Sequence, residues 1–313
     1  MDYLANLNPA QREAVLATEG YIRVIAGAGS GKTKTLTARY LYLMDMLGIS
    51  PANTLCVTFT NKAAAEMKKR IRQFLPDQDL GRITTFHGFC VALLKEDCHV
   101  VQYPSSFIVL DEEDKESILR YVFEDMGITG RDLTIRDAVA HIGWRKGGRG
   151  YVKTLIGAPE KLLEQSRNAT SLKDQVLYRY FYEQRKCYGL DFDDLVYFTL
   201  YIMQHDTETR EKWQKRLEYI MIDEFQDVDK DQYALAEILS GYHNNLFVVG
   251  DPDQTIYTWR GADVKYILEF DTRHENAKTI YLNTNYRSTP EILMASTASS
   301  GAPDSSQSKH WMP

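Results

Sequence analysis

The stretch Val24-Ile25-Ala26-Gly27-Ala28-Gly29-Ser30-Gly31-Lys32-Thr33 decides the fold. Before it, Tyr21 to Val24 are rich in β-formers; after it, Leu36, Tyr40, Leu43, Met44 and Leu47 recur at helical spacing. A strand that turns through small residues into a helix opening on Gly31-Lys32-Thr33 is a phosphate-binding loop. Its glycines let backbone N–H groups converge on phosphate oxygens, and the helix N-terminus adds partial positive charge. Lys32 is spaced to reach the β- and γ-phosphates, and the Thr33 hydroxyl to ligate Mg²⁺. The candidate nucleotide-binding run is therefore Ala26, Gly27, Ala28, Gly29, Ser30, Gly31, Lys32, Thr33 and Lys34, with Ala26 standing where the general pattern has its first glycine.

A second signal narrows the chemistry. Tyr219-Ile220-Met221-Ile222 reads as a buried strand, and it ends in Asp223-Glu224-Phe225-Gln226-Asp227. Asp223 suits a metal ion, and Glu224 can orient and deprotonate an attacking water. Such charges are costly to bury without a metal and polar partners. Alone, an Asp-Glu pair also fits a solvated acidic turn; beside a phosphate loop it points to nucleotide hydrolysis.

The 313 residues suggest two compact units, and 44% hydrophobic with 26% charged residues is the composition of a soluble globular chain. No apolar run reaches membrane-spanning length, and Met1-Asp2-Tyr3 does not open a signal peptide. Cys56, Cys90, Cys98 and Cys187 show neither Cys-x-x-Cys nor zinc spacing, so a cytoplasmic protein with reduced thiols is expected. The net charge of −6 argues against a nucleic-acid partner, but distribution outweighs the sum. Lys62, Lys68, Lys69, Arg70 and Arg72 form one basic cluster, and Arg145, Lys146, Arg149 and Lys153 another. Each reads either as a solvated face or as a binding surface.

Strand and helix alternate over the first third: strand Tyr21 to Ile25, helix from Lys32, strand Thr54 to Phe59, helix Lys62 to Leu75, strand Arg82 to Phe86. That alternation predicts an α/β fold with a parallel sheet. From about Gly88 to Asp206 the period becomes helical, with Leu172, Val176, Tyr180 and Phe181 on one face and Ser171 and Asp174 placed as an N-cap pair. Ile118, Val122 and Met126 form a like face after Asp111, and Gly143 to Gly150 reads as an exposed loop. Strand signals return at Tyr219 to Ile222, Leu246 to Val249 and Thr279 to Leu282. Because the phosphate loop and the acidic pair must meet across one nucleotide, the helical region is an insertion into one sheet. Residues 1–88 and 207–280 are thus assigned to the nucleotide domain, 89–206 to the insert, and 294–313 to a disordered Ser-rich tail.

From Leu7 to Leu293 the sequence resembles the UvrD/Rep/PcrA type of superfamily I DNA helicase. Leu7-Asn8-Pro9-Ala10-Gln11 looks like the family's adenine-reading segment, while Thr58-Phe59-Thr60-Asn61-Lys62-Ala63-Ala64 and Thr85-Phe86-His87-Gly88 look like strand-contacting motifs. Asp191-Phe192-Asp193-Asp194-Leu195 matches a feature of the helical insert, and Asp223 to Asp227 the hydrolysis motif, with Phe225 where Tyr is commoner. The most specific stretch is Gly250-Asp251-Pro252-Asp253-Gln254-Thr255-Ile256-Tyr257-Thr258-Trp259-Arg260-Gly261-Ala262, and Asn285-Tyr286-Arg287-Ser288 closes the series.

The resemblance implies a RecA-like P-loop NTPase domain that uses ATP and Mg²⁺, with single-stranded and 3′-tailed duplex DNA as partners and 3′-to-5′ unwinding in repair, replication or recombination. Gln11 offers a donor and an acceptor to adenine, Tyr286 can stack on the base, and Arg287 and Gln254 suit the γ-phosphate. Phe59, Asn61, Thr85, His87, Tyr257, Trp259 and Arg260 are the candidate DNA contacts, the aromatic ones as flat stacking faces. Trp259 also fits a core tryptophan, His87 a structural histidine, and Asp193 and Asp194 a helix cap. A motor of this type has two RecA-like domains; here the second only begins, at 281–293. The chain alone is therefore expected to bind ATP in an exposed half-site, with Arg287 not held over the nucleotide and adenine met mainly by Gln11, and not to unwind DNA. A non-catalytic ATP- and DNA-binding regulator, or an unrelated phosphate-loop enzyme, are the competing readings.

Overall fold

The computed structural model describes residues 3–148 and 150–289. The expected Ser-rich tail, the second-domain residues from 290 to 293 and the basic residue Arg149 lie outside them. Among the described residues the strands are β1 Tyr21–Ala26, β2 Thr54–Val57, β3 Arg82–Thr84, β4 Ile108–Val109, β5 Gly189–Leu190, β6 Tyr219–Ile222, β7 Leu246–Gly250 and β8 Lys278–Leu282. The chain forms two compact units, one built from the chain up to Phe86 and from Arg210 onward, the other from His87–Thr209. No helix among the described residues is long and apolar enough to cross a membrane.

The first unit is α/β. Its six strands lie in the order β3-β2-β6-β7-β1-β8, and each adjoining pair is parallel. Strands β2, β6 and β7 are buried throughout, the expected signature of a parallel sheet covered on both faces. The helix Lys32–Leu41 turns Leu36 and Tyr40 into the core, and Leu43 follows them. A π-helical turn at Tyr42–Met46 then shifts the register, so Leu47, which periodicity placed on the same face, is exposed. Strand β2 is shorter than its apolar run because Thr60 caps the next helix, Asn61–Arg72, accepting from Ala63 N–H. Strand β3 stops at Thr84 because Phe86 already begins the helix Phe86–Asp97. The sheet also keeps Tyr281 and Leu282, which pair with Ile25 and Ala26. They complete its edge strand, so an assignment of residues from 281 to a second domain cuts through β8.

The second unit is mainly helical, with β4 and β5 as a short parallel pair. Ser171 caps the helix Leu172–Lys186 through Asp174 N–H, and Val176, Leu177, Tyr180 and Phe181 face inward. In the helix Glu112–Asp125 the buried face is Leu119, Val122 and Phe123, one residue round from the expected one. The glycine-rich stretch departs further from expectation: the helix Ile135–Gly147 runs through Gly143 to Gly147. Lys146, expected on a basic surface, is 1% exposed. Its ammonium lies 2.7 Å from Asp191 and 2.8 Å from both oxygens of Asp194, and Tyr151 and Gln184 also donate to Asp194. Asp191 and Asp194 form the capping box of the helix Phe192–His205. The cap reading of Asp194 thus stands, whereas Asp193 is not in the box. Burial pushes the Asp194 carboxyl up to about 6 against the pull of Lys146.

The glycines of a helix interior each cost about 1 kcal/mol, and the Lys146 pairing holds the helix across them. Lys146→Met should leave the buried Asp194 without its cation and Asp191 with Lys115 alone, at 4.0 Å, and cost about 3–5 kcal/mol. A urea midpoint unchanged from the parent would show that the pairing is dispensable.

Candidate functional site

Every strand of a parallel sheet delivers its following loop to the same edge, where ligands of such folds collect. Between β1 and the helix Lys32–Leu41, the loop turns on Gly29 at φ 72° and Gly31 at φ 88°, a left-handed region that side chains resist. Gly31 caps the helix with no side-chain bond, leaving first-turn N–H donors to a ligand. Beside it opens a cavity of about 320 Å³ lined by Gly27, Ala28, Gly29, Gly31, Lys32, Thr33, Lys34, Arg70, Glu224, Gln254, Tyr286 and Arg287. Ala26 and Ser30 are fully buried behind the loop, where Ser30 Oγ donates to the Gly27 carbonyl at 2.7 Å. Arg70 is the lining residue that sequence reasoning left in a general basic cluster. Its position one turn beyond Glu66, with which it pairs, carried no sign of the cavity.

In the cavity lining Lys32 Nζ lies 3.0 Å from Glu224 Oε2. Glu224 follows β6 at φ 50°, a left-handed backbone that costs a non-glycine residue about 1–2 kcal/mol. Strain of that kind gathers where function fixes a side chain. Asp223 is nearly fully buried, and loss of water together with the neighbouring Glu224 pushes its carboxyl up to about 7, opposed by Lys32. Gln226 was quoted from the sequence without a role, and the structure gives it one. It is 2% exposed, donates from Nε2 to Glu224 Oε2 at 2.9 Å, and accepts from Asp251 N–H at 3.0 Å. One amide thus ties the carboxylate after β6 to the end of β7. Gln254 projects from the same β7 loop and donates to Asp251.

Two residues stand differently from what the sequence suggests. Gln11 is not among the residues that line the cavity. It is 1% exposed, accepts from Asn8 N–H in a capping box, and donates to the Ser30 carbonyl at 2.9 Å, so its amide supports the loop from beneath. Arg287, expected not to be held over the nucleotide, belongs to a segment docked on the loop. Tyr286 N–H donates to the Gly29 carbonyl at 2.9 Å, and Asn285 Nδ2 to the Ala28 carbonyl at 3.0 Å. The Tyr286 ring is exposed at the rim, its hydroxyl accepting from Asn8 Nδ2 at 2.8 Å.

A second group gathers beyond the ends of β2 and β7. Phe59 stacks on Tyr257 with centroids 4.6 Å apart. Trp259 is 74% exposed, which removes the core-tryptophan reading, and the Arg260 guanidinium sits 4.9 Å from its ring centroid. Asn61 is exposed in the first turn of its helix, and Thr85 is half-buried after β3. His87 belongs to the helical unit, where it meets the edge of the half-exposed Phe192 at 5.6 Å.

For Mg²⁺ the candidate donors, the Thr33 hydroxyl and the Asp223 carboxylate, are hard oxygens, and two of them suit an ion whose other positions go to phosphate and water. The displaced titration of Asp223 fits a group awaiting a cation. It also has a measurable consequence without metal. The folded carboxyl keeps its proton up to about pH 7, whereas its unfolded value is 3.8. The folded state therefore binds more protons in that window, and stability falls as pH rises through it. In metal-free buffer, Asp223→Asn should raise the melting temperature by a margin that grows from about pH 4 to about pH 7 and then levels. A margin independent of pH would show that Asp223 titrates normally.

Comparison with known proteins places this architecture. Residues 7–275 match the model of the UvrD/REP helicase N-terminal domain. The chain is 38% identical over 292 residues to the ATP-dependent DNA helicase PcrA of Staphylococcus epidermidis, an alignment covering 93% of this chain and 39% of that protein. It is 38% identical over 294 residues to the PcrA helicase of Staphylococcus aureus, with the same shares covered. The chain thus spans about two fifths of the length of these relatives, corresponding to their 39%. With the family model covering most of its length and the six-stranded parallel sheet behind the loop, the chain belongs to the UvrD/REP helicase N-terminal domain family.

Proposed function

We propose that this chain binds ATP with Mg²⁺ at the loop after β1 and single-stranded DNA along the aromatic residues beyond β2 and β7, as the ATP-hydrolysing part of a 3′-to-5′ DNA helicase acting in repair, replication or recombination. The observation that supports the reading best is the Lys32–Glu224 pair in the lining of a cavity that Arg287 also lines. Lys32 neutralises the β- and γ-phosphates, and loop N–H groups from Gly27 to Lys34 hold their oxygens. Thr33 and Asp223 would hold the Mg²⁺ ion, which would supply neutralisation of phosphate charge. Glu224 releases Lys32 to the phosphate and takes the proton of the attacking water, kept in place by Gln226. Gln254 and Arg287 meet the γ-phosphate, and Tyr286 covers the base, with Gln11 fixing the loop below it.

Trp259, Tyr257 and Phe59 offer faces on which bases stack whatever their sequence, and Arg260 adds phosphate attraction. Asn61 and Thr85 supply polar contacts to the same strand, and His87 of the helical unit is a further candidate contact to DNA. Binding is therefore sequence-tolerant and salt-sensitive. The polarity and the biological setting rest on the family resemblance alone.

Two measurements test the reading. Glu224→Gln should bind a fluorescent ATP analogue as the parent does yet lose its ATP hydrolysis; an unchanged rate would remove Glu224 from the proton-accepting role. Trp259→Ala should weaken single-stranded DNA binding by about 1–3 kcal/mol, and parental affinity would place the DNA elsewhere. A parent that binds both ligands and hydrolyses nothing would favour a regulatory stub over a motor.

A further inference from the structure

Resting on the reading of Arg287 as a γ-phosphate contact, we propose that Asn285 is a positioning residue that holds Arg287 over the nucleotide by stapling its segment to the back of the phosphate loop.

The half-buried Asn285 side chain makes three bonds in opposite directions. Its Oδ1 accepts from Arg287 N–H at 2.8 Å and Ser288 N–H at 2.9 Å, closing a turn that sets where the Arg287 side chain leaves the backbone. Its Nδ2 donates to the Ala28 carbonyl at 3.0 Å. Tyr286 N–H adds a bond to the next carbonyl, Gly29, at 2.9 Å. Gly29 is shaped for this approach: a Cβ built on it would lie 2.6 Å from Arg287 Cβ and 2.7 Å from Asn285 Oδ1. The staple and the cavity therefore share peptide groups. The Ala28–Gly29 peptide gives its carbonyl to Asn285, while its N–H belongs to the loop that is to receive phosphate. Hydrogen bonds to the two ends of one peptide polarise each other and strengthen together. Occupation of the loop and docking of the Asn285–Ser288 segment are thus linked, and the linkage is reciprocal. A triphosphate that draws on Arg287 tightens the staple, and a diphosphate does not.

The test compares a non-hydrolysable ATP analogue with ADP by titration calorimetry on the full chain. Arg287→Ala should lower affinity for the triphosphate about tenfold or more, as loss of a charge-assisted hydrogen bond does, and leave ADP unchanged. Asn285→Ala should reproduce that selective loss, and the double variant should lose no more than Arg287→Ala alone, because both remove one interaction. Asn285→Asp keeps the two turn bonds and loses the donor to Ala28, so it should fall between the parent and Asn285→Ala. Equal weakening of both nucleotides by Asn285→Ala would mean general damage to the loop, and additive losses in the double variant would mean that Asn285 acts apart from Arg287; either overturns the proposal. If Arg287→Ala itself leaves the triphosphate preference intact, the γ-phosphate role of Arg287 fails, and the positioning proposal falls with it. A selective effect of Arg287→Ala that Asn285→Ala does not share leaves that role standing and overturns the staple alone.

Discussion

The absence of side chains at two loop positions is the constraint on which the site depends. At Gly31 a Cβ would lie 2.6 Å from Gln11 Nε2, and at Gly29 it would meet Arg287 and Asn285 as closely. Both positions also carry the positive φ that other residues adopt at a cost of about 1–2 kcal/mol. The loop is consequently gripped from two sides, by Gln11 through the Ser30 carbonyl and by Asn285 and Tyr286 through the carbonyls of Ala28 and Gly29. Each grip uses a C=O and none of the loop N–H groups, of which that of Ser30 donates to the Gly27 carbonyl at 3.3 Å. A loop of ordinary residues could not be approached so closely by either segment.

The carboxylates opposite the loop are held at an energetic disadvantage. Glu224 sits in a left-handed backbone, and Asp223 is buried where its charged form is poorly solvated. Gln226 restrains Glu224 from one side and Lys32 from the other, so the strained position is occupied by a single, fixed geometry. On the proposed reading, a nucleotide with its cation would relieve several of these terms together, giving Asp223 a positive partner and taking Lys32 away from Glu224. Binding would then draw on energy already stored in the folded chain, the trade between stability and function that polar sites make.

The phosphate loop and the acidic strand end were legible because their chemistry is local: ten and five consecutive residues, respectively, each with its strand beside it. Stretches governed by distant partners were not. Lys146 looks like one basic residue among several, and only Asp191 and Asp194, 45 and 48 residues on, make it a core residue and keep a glycine-containing helix intact. Gln11 carries the right amide for adenine, yet the loop carbonyl that engages it is 19 residues away. The docking of Arg287 depends on Ala28, 257 residues before Asn285, and no periodicity reports such a contact. The edge strand β8 was recognised as a strand, but its partner β1 could be found only in three dimensions.

Geometry also suggests how the two proposed ligands come to influence each other. Gln254 lines the nucleotide cavity, and Tyr257 and Trp259 follow it in the same loop by three and five residues. That loop begins at Asp251, whose N–H is held by Gln226 and whose carboxylate accepts from Gln254. Gln226 in turn bonds Glu224. Gln254 Nε2 has a second hydrogen for a phosphate beside the one given to Asp251, and the segment that follows carries the ring on which Phe59 stacks. The acidic balance of the whole chain does not oppose DNA there, since stacking faces and one guanidinium act at short range while the net charge of −6 acts through screening solvent.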